Sequence, residues 1–392
     1  MFHRHRTGGV SWTVRAGFAF PARQISHAPG TDPSGRTPSI RPHNTSPSPK
    51  PEPDAVVSAP DSSLPTQTGH IRTRSNPADE ADRSASAPVR PLPTGDLMSK
   101  HIAVVGLGSM GGAMATALHR AGWQVHGHDT SPAARSAAEK EGVHTVDSLD
   151  QLAGTPYVVL SLPSAGVVEA TVPTLLARPG TLAIVDTTTS QPATSAACAS
   201  LAAEKGVAFV DAPVSGGRAG ALAGRLTAFV GATSDALDAA RPVLDALTDG
   251  QYRHLGDPGS GNVVKLLNNV LAAVNLVSVG EALAVAKAYG VDPAAAAAGI
   301  SGASGGSKVS AAMYPDWVLT GTYDSGFALG LMARDAALAV ETAGQRGETP
   351  QLLAAASSRW QEALAALGPG ADFTEIARTV APSLTDEGTA AA

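Results

Sequence analysis

The chain has 392 residues, a formal net charge of −6 and one cysteine, Cys198. An acidic balance gives no electrostatic footprint for nucleic acid, and one cysteine builds neither an intrachain disulfide nor a cysteine zinc site. The length allows two or three domains, and the cysteine usage leads us to expect a reducing, cytoplasmic setting.

Residues 1–97 hold about half of the prolines, as in Ser46-Pro47-Ser48-Pro49-Lys50-Pro51-Glu52-Pro53. No apolar period persists there, so burial cannot offset the entropy of ordering, and the segment reads as a disordered extension. Its opening, with Arg4, Arg6, Arg15 and Arg23 before any acid, faintly resembles an organelle transit peptide, although its prolines and glycines weigh against one. Met98 offers an alternative start of translation. The extension is expected to be dispensable for activity.

A βαβ pattern begins at residue 101. Residues 101–105 form a short apolar strand, then comes Gly106-Leu107-Gly108-Ser109-Met110-Gly111, then a helix through His119 and a second strand over 123–128. In that order the first glycine permits a tight turn, the second lets a pyrophosphate approach the backbone, and the third allows close helix–strand packing. Asp129 ends the second strand. A carboxylate there accepts hydrogen bonds from ribose hydroxyls and repels a 2′-phosphate, which favours NAD and leaves NADP as the second choice. The competing role for Asp129 is to cap the next helix, and Arg135 stands near enough in sequence to serve a phosphate.

Residues 157–162, 182–186 and 207–211 are near-continuous apolar runs of strand length, and 226–231 adds a late strand. Strands buried on both faces and alternating with helices predict a parallel, doubly wound sheet over 98–258. The loops after these strands, Leu162-Pro163-Ser164, Thr187-Thr188-Thr189-Ser190-Gln191-Pro192 and Asp211-Ala212-Pro213-Val214-Ser215-Gly216-Gly217, fall where ligands of open α/β sheets bind. Two glycines after a serine expose successive N–H groups and suit a carboxylate; the alternative is a glycine-rich connection without a ligand. Arg218 follows, able to take a second anionic group or to stand in solvent.

From residue 259 to 392 the pattern is alanine-rich and helical, which predicts an all-α second domain. The run from 270 to 290 is interrupted by Glu281 and Lys287, so it reads as a buried helix and not as a membrane span. Just before it, Gly259-Ser260-Gly261-Asn262-Val263-Val264-Lys265-Leu266-Leu267-Asn268-Asn269 places Lys265 and Asn269 at i and i+4, on one helical face. Val264, Leu267 and Val270 are expected to pack around them. A lysine in apolar surroundings has a lowered pKa suited to proton transfer; the bland alternative is a stem lying along a buried face with its head in water. No metal-ligand cluster stands out.

These segments, in this order, resemble the β-hydroxyacid dehydrogenase family over roughly residues 100–380. The later Gly326-Phe327-Ala328-Leu329-Gly330-Leu331-Met332-Ala333-Arg334-Asp335 is similar to the family segment ending in Lys-Asp. The resemblance implies a Rossmann-type domain followed by an all-helical substrate and oligomerisation domain. It implies that Gly106, Leu107, Gly108, Ser109, Met110, Gly111, Asp129, Leu162, Pro163, Thr189, Phe327 and Arg334 meet the cofactor. Ser215, Gly216 and Gly217 would hold a substrate carboxylate, with Thr189 and Arg218 beside them. Lys265 would be the general acid/base, with Asn269 orienting a small 3-hydroxy acid or its semialdehyde, and the protein a homodimer or homotetramer. Thr188 stands where the family has serine, and Arg334 where it has lysine, which changes geometry while keeping charge. Rival expectations are an imine reductase, against which Lys265 and Ser215 argue; a glyoxylate or succinic semialdehyde reductase, against which Asp129 argues; and a non-catalytic NAD-binding protein.

Overall fold

The computed structural model describes residues 100–385, so the expected extension over 1–97 lies outside the described residues. One sheet is built from β1 (His101–Val105), β2 (Gln124–His128), β3 (His144–Val146), β4 (Tyr157–Leu160), β5 (Ala183–Asp186), β6 (Ala208–Asp211), β7 (Val214–Ser215), β8 (Thr227–Gly231) and β9 (Tyr252–Gly256). Between them run α1 (Ser109–Arg120), α2 (Pro132–Lys140), α3 (Ala165–Leu176), α4 (Pro192–Glu204), α5 (Gly217–Leu222) and α6 (Ser234–Thr248). The first six strands are parallel in the order β3-β2-β1-β4-β5-β6. The order reverses between β1 and β4, which opens a crevice at their carboxyl ends.

The continuous apolar runs follow from burial on both faces. Ile102 and Val104 meet Met114 and Leu118 of α1 and Val243 and Leu244 of α6. Ala103 and Val105, pointing the other way, meet Val168 and Val172 of α3 and Cys198 of α4. Each buried Ile, Leu or Val contributes about 1.5–3 kcal/mol, so a polar residue on either face would be costly.

The expected parallel, doubly wound sheet has one exception, at β8. It runs antiparallel to the end of β6 and to β7, and parallel to β9. The link over residues 212–226 holds β7 and α5; β7 pairs antiparallel with β8 and α5 packs against α1, so the chain comes back in the opposite sense. β3, β7 and β9 escape the sequence pattern for local reasons: two are very short, and the middle of β9 is exposed.

The longer of the remaining helices are α7 (Ser260–Ala288), α8 (Pro293–Ser301), α9 (Leu329–Gly344) and α10 (Gln351–Leu367), with a π-helical stretch over Val309–Val318. By length and composition alone α7 is apolar enough to cross a membrane. In the fold it is a central strut, packed against α9, α10 and α8 on the helical side and against β8 and α4 on the sheet side. Its buried stripe runs through Asn262, Lys265, Leu266, Asn269, Val270, Ala273 and Leu276, the period of a helix with one face inward. Trp360 of α10 closes that core and donates its indole N–H to the Ala273 carbonyl at 3.2 Å.

Candidate active site

The turn after β1 has the geometry that a pyrophosphate requires. Gly106 has φ +93°, a region that favours glycine. A Cβ on Gly111 would stand 1.8 Å from the Gly106 carbonyl oxygen, whereas one on Gly108 would meet nothing within 4 Å. The turn is thus sealed on the protein side and open above the N-terminus of α1, which fits a dinucleotide phosphate. Leu107, Ser109 and Met110 complete it. Asp129 holds it in place: its Oδ2 accepts from Leu107 N at 2.7 Å and its Oδ1 from Ser131 N at 2.7 Å. The cap of α2 is Ser131, not Asp129. Arg135 is already engaged, donating to the Asp129 carbonyl at 2.7 Å and to Asp147 at 2.8 Å.

The next loops are tied to one another. Leu162 N donates to Thr188 Oγ1 at 3.0 Å, which joins the ends of β4 and β5. Thr189 is half-buried beside it. Ser215 pairs with Thr227 of β8, and Gly216 and Gly217 follow with φ of 130° and 62°, both exposed. Arg218 is exposed at the start of α5. Phe327, just before α9, packs its ring edge-on against Phe373 at 5.4 Å between centroids.

Lys265 is 8 % exposed, and burial lowers its ammonium from 10.5 to about 8, against the opposing pull of Asp335. Asn269 lies on the same face and donates to Asp335 Oδ2 at 2.7 Å. The other oxygen of Asp335 accepts from Arg334 Nε and Nη2 at 3.0 and 2.8 Å. Arg334 Nη1 reaches across to the Pro163 carbonyl at 2.7 Å, linking α9 to the loop after β4. The arginine that replaces the family lysine therefore uses its fork: two donors grip a carboxylate and a third grips a backbone 171 residues away.

The expected packing of Leu267 around this lysine is not what the fold shows. Leu267 is 41 % exposed, and Leu266 takes the inward position. Because α7 is apolar on most sides, its phase could not be fixed from sequence.

Three polar residues without an assigned role are fully buried here: Asp186, Asp211 and Asn262. The two aspartates are register partners at the ends of β5 and β6. Burial pushes Asp186 up to about 7, only partly offset by hydrogen bonds from Thr188. Burial also pushes Asp211 up to about 6, while N–H bonds from Gly259, Asn262 and Gly261 pull it back. Asp186 Oδ2 and Ser190 Oγ are buried here without a hydrogen-bond partner among the described residues. An acid closing each apolar strand is the only sign of them in the sequence. A hollow of about 410 Å³ between the far end of α1 and α6, lined in part by Arg120, Arg225 and Asp249, includes none of these residues.

Residues 101–256 match the family described as the NAD binding domain of 6-phosphogluconate dehydrogenase, and residues 259–380 that described as NAD-binding of NADP-dependent 3-hydroxyisobutyrate dehydrogenase. The chain is 35 % identical to 2-(hydroxymethyl)glutarate dehydrogenase of Eubacterium barkeri, over 69 % of this chain and 90 % of that protein. It is 37 % identical to an NAD-dependent L-serine dehydrogenase of Pseudomonas aeruginosa, over 62 % and 85 % of the two chains. A solved structure of Mycobacterium tuberculosis 3-hydroxyisobutyrate dehydrogenase with L-serine superposes with a TM-score of 0.67 at 31 % identity, covering 72 % of this chain and 99 % of that one.

Proposed function

The chain belongs to the β-hydroxyacid dehydrogenase family of NAD(P)-dependent oxidoreductases, and on that premise we propose that it oxidises a primary alcohol one carbon removed from a carboxylate, with Lys265 as general base. The observation that carries this is a buried lysine brought to about 8 beside a fixed Asn269–Asp335 pair. An amine in that range is free to take a proton near neutral pH and to return it in the reverse direction. Asn269 is held by Asp335, so its amide is oriented before substrate arrives. Ser215 and the exposed Gly216-Gly217 backbone hold the carboxylate. A nicotinamide bound above the phosphate turn would supply the acceptor for the hydride that leaves the alcohol carbon.

Chemistry shared by the relatives supports this substrate class. The compounds in their names, 3-hydroxyisobutyrate, L-serine and 2-(hydroxymethyl)glutarate, each carry a hydroxymethyl group on the carbon beside a carboxylate. Arg218, directly after the glycine pair, adds a positive charge that suits a second carboxylate. Turnover of these compounds and their semialdehydes by the purified full chain tests the proposal. Cofactor binding without turnover of any of them would favour a non-catalytic NAD-binding protein, and imine reduction alone would favour an imine reductase. Arg218→Ala should raise KM for the dicarboxylate about tenfold relative to the monocarboxylates, the scale of one charge-assisted hydrogen bond.

For the cofactor we infer NAD over NADP. Each Asp129 oxygen takes one backbone N–H and keeps a lone pair for a ribose hydroxyl, while Arg135 is committed to Asp147 and the Asp129 carbonyl. The value of kcat/KM is expected to be at least about tenfold higher with NAD⁺ than with NADP⁺, a difference of about 1.4 kcal/mol. A preference for NADP⁺ would show that Arg135 leaves these partners.

We further propose a homodimer or homotetramer built on α7. Leu267, Leu271, Val285 and Tyr289 are exposed on one side of it, Val285 standing about five turns beyond Leu267. Light scattering should give a multiple of the chain mass, and a monomer at micromolar concentration would refute the interface.

A further inference from the structure

The N-terminus of α7 is not capped by its own sequence. Its cap residue, Gly259, has no side chain, and the first-turn N–H groups of a helix have no intrahelical acceptor. The acceptor comes from β6. Gly259 N donates to Asp211 Oδ1 at 2.7 Å and Asn262 N to Asp211 Oδ2 at 2.9 Å, so the two carboxylate oxygens span the first turn. A negative charge there is favoured by the helix dipole.

The grip leaves no slack. A Cβ on Gly231 would lie 2.4 Å from Asp211 Oδ1, one on Gly261 2.3 Å from the Phe229 carbonyl oxygen, and one on Gly259 2.7 Å from that of Pro192. Backbone from β8 and α7 therefore closes directly on the carboxylate, and backbone of α4 closes on Gly259. A second tie comes from the helix itself. Asn262 Oδ1 accepts from Ser190 N at 2.7 Å, and its Nδ2 donates to Ser195 Oγ at 3.0 Å.

These two side chains stand at particular places in the chain. Asp211 opens the segment that leads to Ser215, Gly216 and Gly217. Ser190 follows Thr189. Asn262 lies one turn before Lys265 on the same buried face. The carboxylate loop, the loop after β5 and the proton-transfer lysine thus meet at one joint.

We propose that Asp211 and Asn262 are positioning residues, fixing the rotation and depth of α7 so that Lys265 stands at a set distance from a substrate anchored on Ser215–Gly217. The proposal rests on Lys265 being the proton-transfer group. A displacement of about 1 Å in such a group can cost about 10²-fold in rate, so the joint bears on catalysis without touching substrate.

Asp211→Asn removes one acceptor oxygen at constant size and turns an NH₂ toward a helix N–H. In this variant kcat for oxidation is expected to fall at least about tenfold, while KM for the hydroxy acid and Kd for NADH, followed by fluorescence, change less than about threefold. The solvent isotope effect on kcat should rise, because a misplaced lysine makes proton transfer more limiting. Asn262→Ala cuts the other tie without changing charge and should give the same pattern if Asp211→Asn folds poorly. Unchanged kcat in a folded variant would overturn the proposal. So would kcat and NADH affinity falling together, the mark of a merely loosened fold. Lys265→Met, assayed in parallel, separates the two levels: if it turns over normally, the role given to Lys265 has failed, whatever the joint does.

Discussion

Lys265→Met is expected to lower kcat by at least about 10²-fold and, at pH 7, to raise the melting temperature. The first effect is the usual scale of general acid–base catalysis. The second follows from what burial does to the same group. In the unfolded chain the ammonium titrates near its ordinary 10.5; in the fold burial brings it to about 8. Below pH 8 the amine is charged in both states, and the folded state bears the full cost of a buried ammonium. Between 8 and 10.5 the unfolded chain binds more protons than the folded one, so stability rises with pH across that window. The cost at neutral pH is about 3 kcal/mol, at 1.36 kcal/mol for each factor of ten in the proton equilibrium. Methionine has a similar length, carries no charge, and leaves Asp335 with Arg334 and Asn269 as partners. Thermal unfolding at pH 7 and pH 10 checks this: wild type should gain relative to the variant at the higher pH. The activity profile should agree, with kcat/KM for oxidation falling about tenfold per pH unit below 8. Normal turnover, or a variant less stable than wild type at pH 7, would sink the assignment.

The same lysine shows how much the sequence can reveal. The face it shares with Asn269 was legible because four residues on a helix fix a shared face whatever the rest of the fold does. The phosphate turn was legible for a similar reason: strand, glycines and helix are contiguous. The direction of β8 was not, because it goes with the antiparallel pairing of β7, a strand of two residues that carries no pattern. Nor was the phase of α7, where leucines at 266 and 267 are equally apolar and only the neighbouring helices decide which is buried. The partners that fix the site are more distant still. Asp211 grips a helix about fifty residues later, and Arg334 meets Pro163 across 171 residues. Neither contact has a local pattern, since each exists only once the sheet has ordered its strands. The sequence thus carries the chemistry of the site in short motifs, while the distances between those motifs are set by side chains that look, in sequence, like ordinary strand ends and helix starts.

The phosphate turn offers a prediction that separates fold from binding within one motif. Gly108→Ala and Gly111→Ala are the same substitution three residues apart, with opposite expected consequences. At Gly111 the new methyl would lie 1.8 Å from the Gly106 carbonyl oxygen and 3.0 Å from Ser161 Cβ, so α1 must move off the turn. Overpacking of that kind costs about 1–3 kcal/mol, and it also disperses the N–H groups that face the phosphates. Gly111→Ala should therefore lose both stability and NADH affinity. At Gly108 the backbone has φ −63°, which alanine accepts, and no heavy atom lies within 4 Å of the new methyl. Its melting temperature should stay close to that of wild type. Yet the space it fills lies over the N-terminus of α1, where a pyrophosphate must approach the backbone. Its Kd for NADH is expected to rise at least about tenfold, the price of about 1.4 kcal/mol in lost contact. Fluorescence titration and thermal unfolding on the two variants give the comparison. A Gly108→Ala protein that binds NADH as wild type does would place the phosphates elsewhere. The third glycine serves the close approach of helix to strand, and the second keeps a path open; only the second should be silent in the fold and costly in binding.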